Sequence, residues 1–369
     1  MSKLILHIGH RKTGSSAIQS WLAANSSRVI EAGFSYPDDG SLREASKGRV
    51  TSGNGRLLFA EEFELASDTL LSNEGLFNTL SQGDALAAVL SRHAPDLHVV
   101  LYTRNVFEYL VSSWGQKVKA VGLTDDLNSY LLGYEDDHYR TLLFWIDAAA
   151  KHGFKLSIRN YSVRKSNIIR DFLSTCFGPD FAISANASDL TSQVNRSLTP
   201  SENQVQLLFN RYLGKRSRRL ISYPLVHDLP DINAGTTAFS KAAYDAVCGQ
   251  VSSTVTEVNR HVPEEDRIVV EPYEKYAPDD QLPADTVSLT HDQLDVIVRN
   301  VCAELVDRSL SVEDADVLRD VAILFEKGGS PNLAQAANLM ALAERARPKG
   351  GFIRKKAVQF RRMLASAKL

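Results

Sequence analysis

The chain has 369 residues, 44% hydrophobic and 23% charged, which suits one large globular domain with a smaller companion. Its net charge of −2 excludes a global basic field that would draw it onto nucleic acid. No apolar run approaches the roughly 18–20 residues that cross a membrane, and the first apolar run is too short and polar-flanked for a signal peptide, so a cytoplasmic location is expected.

Lys3–Ile8 is a short apolar run that predicts a buried parallel strand. Gly9-His10-Arg11-Lys12-Thr13-Gly14-Ser15-Ser16 follows, and then Ile18, Trp21 and Leu22 fall at helical spacing, predicting a helix over Ser15–Asn25. Strand, glycine-containing loop and helix in this order cradle a phosphate, because loop N–H groups and the helix dipole point at the anion. Gly9 and Gly14 have the spacing of the nucleotide-triphosphate loop G-x-x-x-x-G-K-[ST]. Here, however, Ser15 stands at the lysine position and the lysine is Lys12, two residues before Gly14.

Gly33–Gly55, rich in Gly, Ser and Asp, predicts a long irregular loop. Thr69–Ser72 is the next strand, with Glu74 just beyond it, and Gly83–His93 is helical. His98–Thr103 is a third buried strand running into Arg104 and a helix over Val106–Lys119. A P-loop NTPase often ends this strand in an Asp for Mg²⁺. Arginine suits a phosphate directly, through a bidentate fork. Ser112, two turns into that helix, is placed to join Arg104 on one anion. Lys119–Tyr134 reads as a cover, Tyr139–His152 as a helix and Lys155–Ile158 as a fourth strand. The alternation predicts an α/β fold, a three-layer parallel sheet with helices on both faces. Loops at strand C-terminal ends then share one edge, which groups Lys12, Glu74 and Arg104 in one site.

Further on, Thr199-Pro200-Ser201-Glu202 predicts a capped helix start, with the helix running to Leu213. The basic run Lys215–Arg219 is either a solvated helix end or a contact for an acidic substrate. Glu271–Thr290, with three prolines and several acids, reads as a linker between a domain over 1–285 and a helical region over 286–369. That region shows helical patterns at Asp292–Leu305, Val312–Lys327, Leu333–Arg345 and Phe352–Leu364. The middle pair resembles one tetratricopeptide-like hairpin, which needs another surface to cover its apolar face. From Arg345 onward there are nine Lys/Arg and no Asp or Glu. This tail is a solvated amphipathic helix, or it meets a membrane surface or an anionic glycan. Cys176, Cys248 and Cys302 lie far apart, match no metal spacing and are expected to be reduced thiols.

Lys12-Thr13-Gly14-Ser15-Ser16 resembles the 5′-phosphosulfate loop of the sulfotransferases that use 3′-phosphoadenosine 5′-phosphosulfate (PAPS), and Arg104 with Ser112 resembles their 3′-phosphate site. The form HIGHRKTGSSAIQSWL is most similar to bacterial members, which commonly read H-I-G-x-x-K-T-G-[ST]-[ST]-x-x-Q. YSVRKSNIIRDFLSTCFG (Tyr161–Gly178) and VNRSLTPSENQVQLLFNRYL (Val194–Leu213) are similar to further family stretches, so the likeness spans roughly Met1 to Leu213. It implies a P-loop, sulfotransferase-type sheet and sulfuryl transfer from PAPS, without a metal, to a hydroxyl, less readily an amine, of a carbohydrate or glycolipid, leaving 3′-phosphoadenosine 5′-phosphate (PAP). The resemblance assigns Arg11, Lys12, Thr13, Gly14, Ser15, Ser16, Arg104, Ser112, Asn195 and Arg196 to the nucleotide. It assigns Lys12 to the leaving oxygen, and either Glu74 or His10 to the acceptor's proton. Ala17 departs from the animal cytosolic enzymes, which carry an adenine-stacking aromatic there. A P-loop kinase or NTPase, or a non-catalytic assembly protein, are the competing readings. Homo-oligomer formation is left open.

Overall fold

The computed structural model describes residues 2–10, 12–40, 53–60, 65, 67–79, 83–93, 96–183, 196–277, 287–308, 311–327 and 333–366. Four strands form where apolar runs predict them: β1 (Leu4–His7), β2 (Thr69–Ser72), β3 (Leu97–Thr103) and β4 (Lys155–Asn160). They make one all-parallel sheet in the order β2-β1-β3-β4. Leu6 of β1 stands opposite Leu71 on one side and Val99 on the other. Every residue of β1, β2 and β3 is buried, as expected of strands covered on both faces.

Helices pack on the sheet as α1 (Ser15–Ala24), α2 (Asp84–His93), α3 (Val106–Val121), α4 (Asp137–His152), α5 (Ile168–Phe177), α6 (Pro200–Leu213) and α7 (Lys241–Val258). Alternation along the strands sorts them into two cores. Leu4, Leu6, Val99 and Leu101 pack with Leu86 of α2, Phe107 and Trp114 of α3, Trp145 of α4 and Val247 of α7. Ile5, Leu70, Val100 and Tyr102 face the other way, onto Ile18 and Trp21 of α1 and Phe172 of α5. The result is an α/β fold with helices on both faces of a parallel sheet. At the start of α6, Thr199 accepts from the Glu202 amide at 3.2 Å while Glu202 accepts from the Thr199 amide at 2.8 Å.

Two expectations change. Glu271 does not begin a linker: it is 4% exposed, and its carboxylate accepts from the Phe107 and Glu108 amides at 2.9 and 3.0 Å. Tyr276 donates to the same carboxylate at 3.0 Å. The preceding residues belong to the same strap. Asp266, fully buried, accepts from Arg159 at 2.7 Å and from the Asn160 amide at 3.0 Å, and the Val106 amide donates to the Val269 carbonyl at 3.1 Å. Secondly, the end of the Gly33–Gly55 segment is packed rather than loose. Asn54 is fully buried and accepts from the Ser72 amide at 2.9 Å. The positions from 41 to 52 lie outside the described residues.

The chain divides into two compact units, Met1–Arg218 with Pro230–Ser288, and Arg219–Leu229 with Leu289–Leu369. The second holds α8 (His291–Arg308), α9 (Val312–Lys327), α10 (Leu333–Ala346) and α11 (Gly351–Ser366). Its hairpin finds its cover within the unit: Ile353, Ala357 and Phe360 of α11 join Ala315, Ala336 and Met340 of α9 and α10 in one core. Three ion pairs, Arg347–Asp316, Lys356–Glu326 and Arg361–Glu344, lace the same helices. No helix among the described residues is long and apolar enough to cross a membrane.

Glu271→Ala is expected to lower the unfolding free energy by about 2–4 kcal/mol, because two amides in the first turn of α3 lose a charged acceptor. Glu271→Gln, which keeps one oxygen, should lose less. Urea unfolding of the three proteins checks the order.

Candidate functional site

The loop between β1 and α1 is shaped by three local constraints. Gly9 admits no side chain, since a Cβ there would lie 1.9 Å from the Ser15 hydroxyl. Gly14, the N-cap of α1, has φ +83°, and a Cβ on it would meet the Tyr161 ring at 2.8 Å. Lys12 has φ +69° and is the one non-glycine with positive φ among the described residues. A left-handed lysine costs of order 1–3 kcal/mol and persists only where its surroundings hold it. Thr13 helps to hold it: its hydroxyl donates to the His10 carbonyl at 2.5 Å. That donor is therefore spent inside the loop and is not offered to a ligand. Gly14 brings no capping side chain, which leaves the first-turn amides of α1 at Ser15 and Ser16 for an anion.

β3 delivers Arg104 to the same place. Its Nη1 donates to the Lys12 carbonyl at 3.0 Å, its guanidinium lies 5.2 Å from the Tyr161 ring centre, and Tyr139 donates to its carbonyl at 3.2 Å. Its Nη2 also stands 3.5 Å from Glu108, one helical turn on. Burial pushes the Glu108 carboxyl up, but Ser162, Lys165, Arg104 and Lys275 outweigh that and hold it below its ordinary value. Arg104 Nε and Ser15 Oγ are buried with no hydrogen-bond partner. Ser112 is partly exposed on α3. The four-residue spacing of 104, 108 and 112 puts it on the stripe that Glu108 occupies, one turn further along.

Lys12 makes no ion pair or hydrogen bond through its ammonium among the described residues. Burial lowers its pKa, Glu74 opposes that shift, and Arg104 adds to it. Glu74 is half-buried two residues beyond β2, beside buried Leu71, Leu76 and Phe77. The structure thus brings Lys12, Glu74 and Arg104 within electrostatic reach of one another, on the strand-end edge that topology assigned them.

His10 is 8% exposed and sits in a ring cluster. Its Nε2 is 3.2 Å from the Tyr109 hydroxyl, and its ring centre is 4.0 Å from His138 and 5.1 Å from Phe77. Burial first, and then His10, push the His138 pKa well down. Arg196 forms a bidentate pair with Glu202, at 2.7 and 2.8 Å, both side chains being almost fully buried. Its outer nitrogens are thus already engaged. Arg11 and Asn195 lie outside the described residues.

Sequence reasoning missed Tyr161, His138 and Lys119. Tyr161 was within reach, because it follows β4 at the same sheet edge as Lys12 and Arg104. His138 and Lys119 carry no local signal, being single polar residues on amphipathic helices.

The fold and this edge define a parallel α/β protein whose strand-end loops present uncapped amides and cations. No protein-family model matches the chain, and no curated protein matches it.

Because Lys12 is left-handed, Lys12→Gly should unfold at higher denaturant than Lys12→Ala, by about 1 kcal/mol. Both variants lose the ammonium, so the difference reports on the backbone alone. Chemical denaturation of the pair checks it.

Proposed function

We propose that the protein is a PAPS-dependent sulfotransferase on a P-loop-type fold, acting on a hydroxyl of a carbohydrate or glycolipid acceptor. The observation that carries this reading is the joint at the sheet edge: the unpaired Lys12 ammonium, held on a strained backbone, with Arg104 bonded to the same residue's carbonyl at 3.0 Å. The residues suit a phosphate-bearing donor. Ser15 Oγ and Arg104 Nε are buried donors without partners, the Ser15 and Ser16 amides open a helix, and the Lys12 charge has no counter-ion bonded to it.

PAPS bound here supplies the sulfuryl group and a phosphate leaving group. Lys12 sits to neutralise charge that grows on the 5′-phosphate oxygen as its bond to sulfur breaks, the kind of electrostatic contribution that often dominates. The acceptor oxygen forms the new bond to sulfur, and its proton passes to a base on the enzyme. Glu74 takes that role in the reading preferred here, since it stands close enough to Lys12 to shift its pKa. His10 is the rival, oriented by the Tyr109 hydroxyl. Arg104 and Ser112 read the 3′-phosphate, and a ligand there shares Arg104 with Glu108.

PAP is expected to bind at least about 30-fold more tightly than ADP without Mg²⁺, an advantage of about 2 kcal/mol of the kind a charge-paired phosphate gives. Arg104→Ala should remove most of that preference. Calorimetry with both nucleotides tests this, and equal affinities overturn the reading.

Glu74→Gln is expected to keep PAP binding and lower turnover about 10²–10⁴-fold, as for a lost general base. Single-turnover transfer from labelled PAPS decides between candidates. An active Gln variant alongside a dead His10→Asn variant moves the role to His10.

A further inference from the structure

The last turn of α3 carries a lysine that the proposed reaction does not use. Lys119 is half-buried, and its ammonium makes no ion pair or hydrogen bond among the described residues. The charged groups that act on it are all cations: Lys12 from the β1 loop, Arg218 from the basic run and Arg196 from the segment before α6. The carboxylates near them are committed elsewhere, Glu202 to Arg196 and Glu74 to Lys12. Burial, followed by the three cations, brings the Lys119 pKa down to about 8. The repulsion falls on Lys119 because Glu74 supports the charge of Lys12.

A buried polar network fixes this corner. Asn210 of α6 donates to the Val118 and Leu123 carbonyls at 2.9 and 2.7 Å, clamping the end of α3. Gln206 donates to Asn210 at 2.7 Å and to Ser217 at 2.6 Å, and Ser217 donates to Asn210. Ser217 is fully buried in the middle of the basic run, while Arg218 next to it is exposed. A Cβ on Gly122, φ +83°, would lie 2.6 Å from the Lys215 amide, so the basic run packs directly on the helix end. The run is therefore not a free, solvated helix tail.

At about 1.5 Å per residue, α3 separates the backbones of Arg104 and Lys119 by about 20 Å. One small anion does not span that distance, and Lys12 lies electrostatically between them. Half-buried cations without counter-ions are costly, and a bound anion offsets that cost.

We infer that Lys119 and Arg218 form a second anion site on the acceptor side of Lys12, which selects an anionic oligosaccharide, one that already carries a sulfate, phosphate or carboxylate, as the substrate. The acceptor assignment rests on the proposed sulfuryl transfer, whereas the anion site rests on the surroundings of Lys119.

The test uses the full chain saturated with PAP, titrated with maltotetraose and with sulfated maltotetraose at low ionic strength. The sulfated sugar should bind at least about tenfold more tightly than the neutral one. Lys119→Ala and Arg218→Ala should each lower that preference by about tenfold while PAP affinity and the unfolding midpoint stay unchanged. In the unmodified chain the preference should decline as pH rises through about 8, where Lys119 loses its charge. Lys119→Arg, with a guanidinium that stays charged, should keep the preference across that range. Equal binding of the two sugars, or a preference that both alanine variants leave intact, overturns the site. Loss of PAP binding in Lys119→Ala assigns the lysine to the donor and overturns it as well. If the unmodified chain binds no PAP, the donor reading fails on its own. The same sugars titrated into the nucleotide-free protein then decide the anion site by the same outcomes.

Discussion

The site depends on one hydrogen bond between two βα turns. Arg104 reaches from the end of β3 to the Lys12 carbonyl at the end of β1, at 3.0 Å. β1 and β3 are neighbours in the sheet, so the bond needs no long reach across the edge. The left-handed backbone of Lys12 belongs to the same turn, so the carbonyl and the ammonium of one residue serve different partners. Arg104 is in turn held from three sides, by that carbonyl, by Glu108 and by the face of Tyr161. A guanidinium held this way presents its remaining donor in a fixed direction, which a flexible lysine cannot do.

α3 is the beam on which this arrangement hangs, and it is fastened at both ends by distant parts of the chain. Glu271 satisfies its first amides, and Asn210 satisfies carbonyls at its end. Asp266 does the same for β4, gathering Arg159, Arg164 and the Asn160 amide around one buried carboxylate. Buried ion pairs of this kind add little net stability over an apolar core, yet they fail badly if one partner is removed. Their effect is to give the loops at the sheet edge a single arrangement.

Much of the frame was legible in the sequence because its signals are local. Continuous apolar runs marked all four strands, and Thr199-Pro200 with Glu202 marked the start of α6 within a residue. Lys12, Glu74 and Arg104 could be grouped because a parallel sheet sends every strand's C-terminal loop to one edge. What escaped was long-range. Glu271 sits among prolines and acids and reads as a linker, since nothing near it says that its carboxylate faces a helix start more than a hundred residues earlier. Arg196 read as a ligand donor, although the Glu202 that completes the capping box is also its buried partner. The strain at Lys12 has no residue-type signal, because lysine gives no hint of a positive φ. Lys119 looks like any other charge on an amphipathic helix until the fold surrounds it with cations.

The Glu271 cap also has a consequence for how the protein is made. The carboxylate lies 163 residues after the Glu108 amide it receives. At ribosomal speeds of roughly 5–20 residues per second, α3 leaves the ribosome about ten to thirty seconds before its cap is synthesised. During that interval β1, β2 and β3 all exist, but the helix that carries the site has only water at its first turn. Closing so wide a loop is slow relative to local helix formation. The nascent chain therefore passes through a stage with its sheet assembled and its active edge open, and it becomes competent only after the strap has been translated.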